Sequence, residues 1–199
     1  MTTLRSLLAF TGAALLGALP LAAQTPPSPA APASTTGRKS PHETVSTVIG
    51  DRKTGNRVTI TYGRPYTRDP KTGAPRKIWG GLVPWGKADR LGADEATLLL
   101  TQQPLGFGAT TIPAGAYTLY TVPSANGPTK LAFSSNLGKW GTPVDETHDV
   151  ARIDLTMTAL PQPVDQLTIS VENDKSSGGG VLRIRWETTE FSAPFTVKK

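Results

Sequence analysis

The chain has 199 residues, with 21 Lys and Arg against 15 Asp and Glu, no Cys, 20 Gly and 18 Pro. That length suits one domain rather than two, and 37% hydrophobic with 18% charged residues is enough to build a core. The absence of Cys excludes a disulfide scaffold, a thiolate zinc site, an iron–sulfur cluster and a cysteine nucleophile.

Residues 1–5 carry one positive charge, residues 6–19 form a short uncharged apolar stretch, and Pro20-Leu21-Ala22-Ala23 supplies small residues for cleavage. This is the order of a secretory signal, and the stretch falls short of the ~20 apolar residues that cross a bilayer. The sequence predicts a signal peptide over 1–23, export to the periplasm or the medium, and no membrane span after cleavage. Residues 24–40 hold four prolines among Ala, Ser and Thr and no bulky apolar side chain. They are expected to form a disordered tether. The folded unit is expected over 41–199.

Alternating apolar and polar residues predict nine strands, at 45–49, 57–62, 96–102, 116–122, 129–134, 150–158, 166–172, 181–187 and 191–197. The connections at 50–56, 173–180 and 188–190 suit hairpins, and one short helical turn is expected near 87–91. Nine half-buried strands need a second layer, so the expected fold is all-β, a single antiparallel β-sandwich with one long ordered loop. A closed barrel is the second architecture that fits.

Charge is uneven along the chain. Residues 38–90 hold twelve Lys and Arg against four acids, while residues 91–199 hold eight against eleven. A basic half attracts anions, but no nucleic-acid motif or aromatic-rich basic stripe accompanies it, so nucleic acid is not an expected partner.

His42-Glu43-Thr44-Val45-Ser46 begins like a zinc-protease motif and lacks the second His four residues on. Lys53-Thr54-Gly55 and Lys71-Thr72-Gly73 read as turns, since no Ser is followed three positions later by a Lys. No nucleophile elbow or phosphate-cradling loop is present. His42-Glu43 and His148-Asp149 place neighbours on opposite faces of an extended chain, so neither pair chelates alone. No metal or cofactor is expected.

The densest polar and aromatic stretch runs from Arg64 through Trp79, Trp85, Lys87 and Arg90 to Asp94 and Glu95. Trp faces beside Arg and carboxylates suit a cleft for a small molecule or a glycan. Packing alone also accounts for them, with a long loop folded over the end of the sandwich and Trp as its plug. The candidate binding residues are His42, Arg64, Trp79, Trp85, Lys87, Arg90, Asp94 and Glu95.

Taken in order, Ser40-Pro41-His42-Glu43-Thr44-Val45, Tyr62-Gly63-Arg64-Pro65, Lys77-Ile78-Trp79-Gly80-Gly81-Leu82-Val83-Pro84-Trp85-Gly86, Arg90-Leu91-Gly92-Ala93-Asp94-Glu95-Ala96-Thr97, Pro113-Ala114-Gly115-Ala116-Tyr117-Thr118-Leu119, Lys139-Trp140-Gly141 and Asp149-Val150-Ala151-Arg152 resemble a bacterial secreted family, domain of unknown function 2911. The chain departs from that family's usual pattern in having Asp89 for Trp and Asp94 for Asn, and in extra residues around 69–75. The resemblance implies a secreted or periplasmic β-rich domain and brings no activity or cofactor.

The expected function is therefore a non-catalytic domain of the bacterial cell envelope that binds a small molecule, a glycan or an envelope protein. Two alternatives remain: a hydrolase-like enzyme using His42 with Asp94 or Glu95, and a structural envelope protein with no ligand site.

Overall fold

The computed structural model describes residues 39–198. The expected signal peptide and all but the last two residues of the expected tether lie outside them. The described chain is all-β. Its strands are β1 (His42–Ile49), β2 (Asn56–Gly63), β3 (Asp89–Arg90), β4 (Thr97–Thr101), β5 (Leu105–Phe107), β6 (Thr110–Ile112), β7 (Gly115–Val122), β8 (Thr129–Ser134), β9 (Asp149–Asp174) and β10 (Gly179–Val197). They form one antiparallel sheet in the order β1-β2-β4-β7-β8-β9-β10-β5-β6, with β3 beside β7.

Local chemistry explains the hairpins. Asp51 accepts hydrogen bonds from the Lys53 and Thr54 amides at 2.9 and 3.0 Å, closing the turn between β1 and β2. Asn56 is fully buried, and its carboxamide takes the amides of Gln102 and Gln103 while donating to Thr101 Oγ1. It thereby fixes where β4 ends. Residues 173–180 turn β9 into β10, with Gly179 opposite Asp174.

The two last strands are longer than the sequence suggests. Segments 150–158 and 166–172 belong to one 26-residue strand, and 181–187 and 191–197 to one of 19 residues. No hairpin forms at 188–190. Instead Glu187 takes a left-handed φ of 55° and the register against β9 shifts on both sides of it. An inserted residue bends a strand and switches which side chains face inward. Accordingly Leu182, Ile184 and Trp186 are buried before the shift, and Phe191, Ala193 and Phe195 after it. The turn expected at 87–91 is β3 rather than helix, because Asp89 and Arg90 pair with Thr121 and Tyr120.

Through these bent strands the sheet folds back on itself into two layers. Ile49, Val58, Ile60, Leu99, Leu119 and Phe133 of one layer share a core with Leu167, Ile169, Leu182, Ile184, Phe191 and Phe195 of the other. The sheet does not close into a barrel, because β9 meets β1 and β2 through side chains. Tyr62 Oη accepts from the Ile169 amide at 2.9 Å and lies 3.4 Å from its carbonyl. Arg64 Nε donates to the Leu167 carbonyl at 3.1 Å, and Thr47 Oγ1 to the Val171 carbonyl at 2.8 Å. Burial first, and then the Glu43 carboxylate that receives its hydroxyl, push the Tyr62 phenol up to about 12, so it stays a donor.

Tyr62→Phe keeps the ring and strands the Ile169 amide. We expect a loss of about 2 kcal/mol in denaturant unfolding, the scale for one buried unsatisfied donor.

Candidate functional site

Between β2 and β4 the chain runs for more than thirty residues with only β3 as regular structure, and side chains hold it in place. It leaves the seam at Arg64, whose guanidinium also bonds Thr168 Oγ1 at 2.9 Å and Glu43 at 3.1 Å. The Leu167 amide donates to the Pro65 carbonyl, and the Thr67 amide to that of Asp165. Asp69 then caps a turn by accepting from the Lys71 and Thr72 amides at 2.8 and 2.9 Å. Arg76 donates to the Tyr66 carbonyl across the neck of that turn. Ile78 and Val83 anchor the next stretch in the core.

This stretch positions the two tryptophans. Trp79 stacks on Trp85 at 6.5 Å and meets Trp186 and Phe191 edge-on at 6.3 and 5.0 Å. Gly80 has a φ of 74°, and a Cβ there would sit 2.2 Å from Trp85 Nε1, so only glycine allows this stack. Trp79 is therefore a plug in an aromatic cluster, whereas Trp85 is exposed at a separate shallow groove beside residues 122–130. Lys87 is exposed outside every cavity described below. Arg64 belongs to the seam.

The same segment walls a cavity of about 440 Å³, closed by Thr142 and by Trp186 of β10. Lys39, Arg68, Arg76 and Arg90 line it, with Asp89 and Asp94 among them. Burial raises the Asp89 carboxyl above its ordinary value, although the Arg90 amide and guanidinium pull it down. The apolar part of the wall comes from Pro65, Tyr66, Leu82, Val83 and the Trp186 ring.

The cations here differ from the arginines that tie the seam and the last two strands. Arg64, Arg152, Arg183 and Arg185 each reach a carboxylate within 3.1 Å. Among the described residues, Arg68 and Arg76 donate only to backbone carbonyls, of Gly73 and Tyr66. Arg90 and Lys39 make no side-chain hydrogen bond or ion pair among the described residues. Five buried side-chain polar atoms lack a partner among the described residues, and three of them, Arg76 Nε, Asp94 Oδ2 and Trp186 Nε1, belong to residues of this wall. Buried orphans are costly and mark places where another partner is to be sought.

Asp94 takes a left-handed φ of 63°, which turns the chain so that it and Glu95 face different spaces. Asp94 lines the 440 Å³ cavity. Glu95 lies 3.0 Å from His42 Nε2, and the two border a second groove of about 520 Å³ that also holds Trp140. Thus His42 meets Glu95 and not Asp94, and the eight candidate residues divide among the seam, the aromatic plug, two grooves, the cavity and the open surface.

Four wall residues escaped the sequence reading. Lys39 falls in the expected tether, and Arg68 and Arg76 are not among the candidate binding residues. Trp186 lies near the end of the expected strand 181–187, and it borders the cavity just before the register shift at Glu187. The signal for the arginines was their place on either side of the extra residues at 69–75.

A family model described as Protein of unknown function (DUF2911) matches residues 40–195. The chain belongs to this family. Both departures from the DUF2911 pattern noted above, Asp89 and Asp94, are carboxylates of the cavity wall. Searches of curated proteins and of solved structures found no match.

The different settings of the tryptophans predict different costs of truncation. Trp79→Ala should lower the unfolding free energy by about 3 kcal/mol and Trp85→Ala by no more than about 1.5 kcal/mol, measured by denaturant melts.

Proposed function

We propose that this chain is an exported, non-catalytic binding domain of the bacterial envelope, and that the 440 Å³ cavity takes a small organic anion with an apolar portion. One observation carries this reading. Among the described residues, three arginines and a lysine converge on the cavity without a carboxylate within ion-pair distance, while the arginines of the seam and of β9 and β10 are paired and the other two, Arg52 and Arg57, lie exposed outside the cavity. Guanidinium groups held by neutral carbonyls keep their charge and further N–H donors for a carboxylate or phosphate, and each charged hydrogen bond is worth roughly 1.5–3 kcal/mol. Trp186, Leu82 and Val83 offer surface to the remainder of such a ligand. The two acids favour a ligand that also carries a donor, an ammonium or hydroxyl, over a bare anion. Export rests on the charge, apolar run and small residues of 1–23.

The hydrolase alternative retains one specific observation, the 3.0 Å contact of His42 with Glu95. That pair borders the other groove, and no His lines the cationic cavity. Binding without chemistry is the reading this cavity supports best.

Calorimetric titration at low salt with citrate, glycerol phosphate and an aryl carboxylate tests the proposal. We expect saturable binding of at least one, weakened tenfold or more (about 1.4 kcal/mol) by Arg76→Ala or Arg90→Ala and by added salt. Asp94→Asn should tighten it by removing a negative charge. No binding by any of the three, or equal binding by both arginine variants, would overturn the assignment.

A further inference from the structure

The second groove is built differently. Its floor is one cross-strand row on the outer face of the sheet, Thr61 of β2 paired with Leu98 of β4, which pairs with Thr118 of β7. Outer faces of antiparallel sheets are normally polar and solvated. Here a single apolar residue lies between two threonines and an indole stands beside it. Trp140 is 54% exposed, an unusual placement for so large an apolar ring.

Trp140 is nevertheless not on a loose tip. It forms a bridge with Glu95, and its two neighbours are tied down on either side. The Ala96 amide donates to the Lys139 carbonyl at 3.1 Å, and the Gly141 amide to that of Asp94 at 2.9 Å. Thr118 Oγ1 fixes the start of the loop by donating to the Asn136 carbonyl at 2.7 Å. Gly141 packs against the Arg90 stem so closely that a Cβ there would lie 2.7 Å from Arg90 Cδ. An exposed aromatic face held rigid in this way has already met the ordering cost of binding.

We propose that this groove is a carbohydrate site, in which a pyranose ring of a glycan lies over the Leu98 floor with its C–H face on Trp140. A sugar ring has one apolar face and a rim of hydroxyls that both donate and accept. The groove has the matching parts: an indole and Leu98 for the face, and Glu95, His42 and Lys139 at the rim for the hydroxyls. Other occupants fit less well. The backbone of β2, β4 and β7 is already paired on both sides, so a peptide could not add as a strand. An acyl chain would have to bury the threonine hydroxyls and the charged rim without replacing their hydrogen bonds. No lining residue of the cationic cavity lines this groove, so the two ligand assignments are tested separately.

The test is titration of the full chain with cellotetraose, maltotetraose and chitotetraose, followed by calorimetry and by tryptophan fluorescence. At least one should bind saturably in the micromolar-to-millimolar range, on the order of −4 to −8 kcal/mol. Trp140→Ala should weaken it at least about tenfold, Trp140→Phe should retain part of it, and Lys87→Ala should leave it unchanged. Because Trp140 is exposed, its variants should melt close to the parent. Failure of all three sugars to saturate by about 10 mM, or unchanged affinity in Trp140→Ala, would overturn the proposal.

Discussion

The fold turns on a hydrogen-bonded seam that no strand supplies. Along the second half of β9, the backbone groups of Leu167, Ile169 and Val171 point away from β10, and they are met by Arg64, Tyr62 and Thr47. An unpaired sheet edge is a liability, and buried backbone groups must find partners. Here side chains from β1 and the end of β2 provide them. Side-chain donors hold the layers together without drawing β1 into register with β9, so the sheet remains an open, folded sandwich. The seam also sets where the following segment begins, because Pro65 and Thr67 are hydrogen-bonded to Leu167 and Asp165.

From that fixed start the 65–94 segment can be irregular and still well placed. Its turns are closed by its own side chains, and Arg68 and Arg76 spend their hydrogen bonds on carbonyls rather than carboxylates. On β9 and β10 the reverse holds, as Arg183 and Arg185 both bridge Glu172 and Glu190. Those bonds outweigh the burial that would raise the Glu172 carboxyl and hold it below its ordinary value. One set of arginines is thus committed to holding strands together and the other remains available. Asp94, turned by its left-handed backbone, marks the boundary between the cationic cavity and the groove of Trp140.

Much of the architecture was legible in the sequence. Alternation in 57–62 and 116–122 reveals half-buried strands because side chains on successive residues face opposite ways. What periodicity cannot show is continuity. Residues 156–163 are mostly exposed and break the alternation, so β9 reads as two strands, and Thr188-Thr189-Glu190 looks like a turn although a register shift carries the strand through it. The short β5 and β6 are too brief for any pattern. The site was legible only as a region: the basic, aromatic stretch does wall a cavity. Which side chains face it depends on the seam and on Trp186, more than ninety residues away, and no local spacing encodes that.

The central claim is that the cavity arginines are available, whereas those of the seam and of β9 and β10 are committed to carboxylates. Arginine Nε–Hε correlation spectra, recorded while an organic anion is titrated, test it most directly. The account predicts that the Arg68, Arg76 and Arg90 signals move together with one saturation curve while those of Arg64, Arg152, Arg183 and Arg185 stay in place. Equal movement of the paired arginines, or none at all, would contradict it.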